Sequence, residues 1–74
     1  MNKSDLKHIY VVQCLVDGKI NFLPITLNFS LCNDEGDWIM GYKKIIKAAL
    51  IRQYYDLYVE NTYVISIVYY HCVS

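Results

Sequence analysis

"HIYVVQCLVDGKINFLPITLNFS" (His8–Ser30) decides the fold. Two runs rich in β-branched and aromatic residues, His8–Val16 and Lys19–Ser30, flank Asp17-Gly18. A two-residue type I′ turn needs positive φ at both central positions, and Asp-Gly meets that need, so the stretch predicts a β-hairpin. Pro24 lies inside the second run. It has no N–H to give to a ladder, which makes this strand an edge strand or bulges it. The parity of the apolar residues points to a bulge. Ile20 and Phe22 share one parity, and Leu23, Ile25, Leu27 and Phe29 the other, so an extra residue near Phe22–Pro24 would bring both sets onto one face.

Beyond the hairpin, "CNDEGDW" (Cys32–Trp38) reads as a loop into a helix. Asn33 or Asp34 can cap that helix, and Asp34, Glu35 and Asp37 complement the positive end of its dipole. The helix then runs to about Tyr58, through "KKIIKAALIRQYYDLY" (Lys43–Tyr58). "VENT" breaks it, and "YVISIVYYHCV" (Tyr63–Val73) is a third strand. Apolar residues on both parities are the mark of a strand that is central or covered on both faces. The class is therefore α+β in ββαβ order, a three-stranded, mainly antiparallel sheet with one long helix packed on one face. One domain spans residues 1–74, with residues 1–7 expected to be flexible.

At about 100° per residue, Trp38, Tyr42, Ile45, Ile46, Ala49 and Leu57 gather on one side of the helix, with Ile39 and Leu50 at its edge. That side faces the sheet. Lys43, Lys47, Tyr54 and Tyr58 fall opposite, flanked by Ile51, Met40 and Lys44. Tyrosine can snorkel over lysine stems without further meaning. It is also enriched at binding hot spots, and cations beside it suit an acidic partner. Lys43, Lys47, Ile51, Tyr54 and Tyr58 are thus the expected partner-binding set. The acidic loop residues Asp34, Glu35 and Asp37 read first as helix capping and second as a contact for a basic partner.

The 74 residues are 55% hydrophobic and 15% aromatic. A chain this short buries little more than about 60% of its unfolded surface, so a second copy or a partner is expected to cover the remainder. Seven basic and seven acidic residues cancel. That balance disfavours binding nucleic acid mainly through phosphates, and it leaves little repulsion between copies. A nucleic-acid partner is thus the lesser expectation, a protein partner and a homo-oligomer the greater.

Cys14, Cys32 and Cys72 are odd in number and lack a C-x-x-C pair, so they read as reduced thiols. His71-Cys72, with His8 and Cys14, offers zinc-type ligands at a poor spacing, because neighbours on a strand point to opposite faces. No metal or cofactor is expected. "MNKSDLKH" has no apolar run behind its lysines, and no stretch reaches the roughly 20 apolar residues of a membrane span. The chain reads as cytoplasmic, with no membrane partner.

No phosphate loop, G-x-G-x-x-G or G-x-S-x-G occurs, and no nucleophile–base pair has workable geometry, so the chain reads as non-enzymatic. Shortness, the absence of a catalytic signature and richness in Ile, Tyr, Lys and Asn give a profile similar to the small accessory proteins of phages and mobile elements. That resemblance implies an inhibitor or adaptor that binds a host or defence protein, as anti-CRISPR proteins do. The alternatives are a small RNA- or single-strand-binding regulator using Lys43, Lys47, Tyr54 and Tyr58, and a structural subunit of an assembly.

Overall fold

The computed structural model describes residues 6–73. The chain orders as β1 (Lys7–Val16), β2 (Lys19–Leu27), α1 (Tyr42–Gln53), a short 3-10 turn (Val59–Asn61) and β3 (Thr62–Val73). The three strands form one sheet in the order β2-β1-β3. Both pairings are antiparallel.

Asp17 (φ 53) and Gly18 (φ 80) both have positive φ, so the hairpin closes as a type I′ turn demands. The β1–β2 register runs from His8↔Leu27 to Val16↔Lys19 without a shift, and Pro24 faces Val11 on an edge strand. The bulge expected near Phe22–Pro24 is therefore absent. The irregularities lie in β3, where the register against β1 shifts between Val11 and Val12 and again between Gln13 and Cys14.

Those shifts account for the apolar residues on both parities of β3. Val64 faces Cys14, Ile67 faces Val12 and Tyr70 faces Tyr10, so residues of alternating parity all meet the buried side of β1. Each bulge adds one residue and flips the face of the residues beyond it. β3 is accordingly an edge strand, so of the two expectations, central or covered on both faces, the first fails; β1 is central.

The helix also corrects the sequence reading of one long helix. It has 12 residues, about three turns, and stops at Gln53 instead of Tyr58. Trp38 lies outside it, in a bridge with Cys32. Its N-cap is Gly41 in the left-handed region (φ 76), and neither a side-chain cap nor an acidic first turn is present. The acids of the preceding loop therefore do not cap it. Asn33 closes that loop on itself instead, its Oδ1 accepting from the N–H groups of Glu35 and Asp37. At the far end Arg52 complements the helix dipole.

One face of the sheet packs on the helix. Tyr10, Val12 and Cys14 of β1, Ile25 and Leu27 of β2, Leu31, and Ile46, Ala49 and Leu50 of α1 form the core. Burying an aliphatic or aromatic side chain of this kind contributes about 1.5–3 kcal/mol each. Tyr10 is fully buried, and its hydroxyl accepts a 2.9 Å hydrogen bond from the Leu31 N–H, so its polar end is satisfied. The expected flexibility of residues 1–7 falls mostly outside the described residues; Lys7 already pairs with Val73. No helix among the described residues is long and apolar enough to cross a membrane.

Candidate functional site

The outer face of α1 carries Lys43, Lys44, Lys47 and Arg52 around the apolar Ala48 and Ile51. Beyond the helix the chain turns back through the 3-10 turn, and Val59 closes the apolar floor. The result is a shallow groove of about 450 Å³ lined by Lys44, Lys47, Ala48, Ile51, Arg52 and Val59. A second hollow adjoins it, where Lys43, Lys44 and Lys47 meet Tyr63 and Val64 of β3. There the Lys47 ammonium lies 5.4 Å from the centre of the Tyr63 ring, a cation–π contact. Lys47 lines both hollows.

Of the residues expected to bind a partner, Lys43, Lys47 and Ile51 come together here. Tyr54 and Tyr58 do not join them. Helical geometry ends at Tyr54, whose backbone is extended (φ −124, ψ 114). Its ring packs against the core, and its hydroxyl donates to the carbonyl of Pro24 on β2. Burial raises the Tyr54 pKa above its ordinary value, with the Cys14 thiol adding to the shift. Tyr58 stays exposed, just before the 3-10 turn. Sequence reasoning missed Tyr63 and Val59. Both stand close behind the helix in sequence, and a helix only 12 residues long leaves them room to return to its side.

Gln53 does work of a different kind. Its side-chain oxygen accepts from the Thr26 N–H, and its nitrogen donates to the Thr26 carbonyl. With Tyr54 on the Pro24 carbonyl, these bonds occupy the outer edge of β2 as a neighbouring strand would.

The acidic loop places Asp34, Glu35 and Asp37 at the surface around the Asn33 turn. A bridge between Cys32 and Trp38 closes its base. From that base an aromatic chain runs through Tyr42, Trp38, Tyr10, Tyr70 and His8. Tyr70 stacks on both His8 and Tyr10, and Trp38 on Tyr42. His8 Nδ1 and Tyr70 Oη are 2.6 Å apart. Desolvation, with the Cys72 thiol beside it, pushes the Tyr70 pKa up to about 12. Burial likewise raises the Cys14 thiol. Cys14, Cys32 and Cys72 are all free. Among the described residues no group of three or more His, Cys, Asp or Glu side chains is placed to hold a metal ion.

The chain matches no protein-family model, no curated protein and no solved structure.

Proposed function

We propose that the protein is a non-enzymatic binding module, an inhibitor or adaptor that grips an acidic segment of a partner protein. The observation that supports this reading is the groove of α1. Its floor is apolar, from Ala48, Ile51 and Val59, and its rim is cationic, from Lys44, Lys47 and Arg52. An amphipathic helix or strand with large apolar residues and flanking carboxylates fits such a surface, the apolar anchor giving affinity and the charges giving orientation and association rate. The size and composition favour a target in the host or defence machinery that phages and mobile elements meet, in the cytoplasm. Nucleic acid is the weaker reading. Of the two helix tyrosines that would stack on bases, Tyr54 is committed to the core and to Pro24.

The test is capture from the native host with the chain as bait, followed by binding of the purified partner. Lys47→Glu and Ile51→Asp should each weaken that binding by tenfold or more, which corresponds to about 1.4 kcal/mol. Association should slow as salt is raised. A partner indifferent to both substitutions overturns the assignment. Capture of a single-stranded oligonucleotide, with a steep salt dependence, would favour the nucleic-acid reading instead.

A further inference from the structure

We infer that the sheet face turned away from α1 is covered by a second copy of this chain. The register decides which side chains stand there. Tyr10, Val12 and Cys14 point to the helix and are fully buried, so Val11, Gln13 and Leu15 point the other way. Ile20, Phe22 and Pro24 stand beside them on β2, and Ser66 and Tyr69 on β3. Ile20 is 58% exposed, Phe22 59% and Tyr69 57%. Monomers rarely expose a contiguous apolar surface of this extent.

Three features fit a second copy in particular. First, the face is almost uncharged: among the described residues Lys7 and His71, both at one end, are its only basic side chains. Two such faces can therefore meet about a two-fold axis without like charges opposing one another. The formal charge of the whole chain is zero, so no net repulsion keeps copies apart.

Second, the polar pair on the face is partly self-satisfied: the Ser66 hydroxyl donates to Gln13 Oε1 at 3.3 Å, a bond that survives drying, while the Gln13 amide nitrogen is left to pair with a polar atom of the second copy.

Third, the area suffices. Three strands about 4.8 Å apart, with about nine residues each at 3.3 Å, present a flat footprint of about 400 Å². Side-chain corrugation brings the area buried by two copies to on the order of 1,000 Å², where specific interfaces begin. Two sheets stacked about 10 Å apart, with the helices outermost, are a common β-sandwich arrangement. This interface lies on the opposite side of the sheet from the α1 groove and leaves that groove open.

Sedimentation velocity of the full chain across the micromolar range tests the inference. Twice the chain mass, falling toward the chain mass on dilution, is expected. Phe22→Asp and Ile20→Lys should each raise the dissociation constant at least tenfold with far-UV circular dichroism unchanged. Two variants keep the test decisive should one fail to fold. Ala48→Glu, on the outer face of α1, should leave the mass as it is. A chain that sediments as a monomer throughout, or a dimer indifferent to both sheet-face substitutions, overturns the inference.

Discussion

Tyr54 and Tyr58 are four residues apart, and on an uninterrupted helix they would share one face. The fold separates them. Tyr54 packs on the core and donates to the Pro24 carbonyl; Tyr58 is 63% exposed. Their truncations should therefore differ. Tyr54→Ala should cost about 2 kcal/mol or more by urea unfolding, since it removes a packed ring and its hydrogen bond. Tyr58→Ala should cost no more than about 0.5 kcal/mol, as exposed positions do. Equal costs would put the helix end in the wrong place. Helical spacing could not show this, because Tyr54 leaves the helix in extended backbone and bonds to a strand 30 residues earlier. Lys43, Lys47 and Ile51 lie within the helix proper, and for them spacing alone was enough.

At the scale of elements, legibility followed how local the cause was. The hairpin was legible because positive φ at Asp17 and Gly18 is a two-residue property. Pro24, which lacks a donor, allowed an edge strand or a bulge; parity favoured the bulge, and the edge is what the sheet shows. The start of α1 was not, since "NDEGD" carries residues that cap helices and here Asn33 spends its side chain on its own loop. β3 misled for a geometric reason: bulges move apolar residues of both parities to one face, and composition alone cannot tell that from burial on two faces. The two edges of the sheet also differ. Gln53 and Tyr54 occupy the backbone of β2 at Thr26 and Pro24, whereas the bulges of β3 break up its edge. Gln53→Ala should cost about 1 kcal/mol in stability and increase aggregation on storage, read by light scattering. Unchanged stability and scattering would mean that the carboxamide contributes nothing to the edge.

For the whole molecule, the single helix covers one side of the sheet and spends its inner face, Ile46, Ala49 and Leu50, in doing so. Two surfaces are left for the proposed contacts: the apolar sheet face for a second copy, and the outer helix face for an acidic partner. Composition foretold the surplus of apolar surface but could not say where it would lie, because that depends on which strands pair and where β3 bulges. Whether the α1 groove holds the partner can be read by lysine footprinting with mass spectrometry, on the full chain with and without the captured partner. Lys43, Lys44 and Lys47 line the groove and its neighbouring hollow, while Lys19 stands exposed at the start of β2 and serves as the internal control. A partner seated in the groove should slow modification of Lys43, Lys44 and Lys47 severalfold and leave Lys19 unchanged. Full reactivity of all three helix lysines in the saturated complex would contradict that seating.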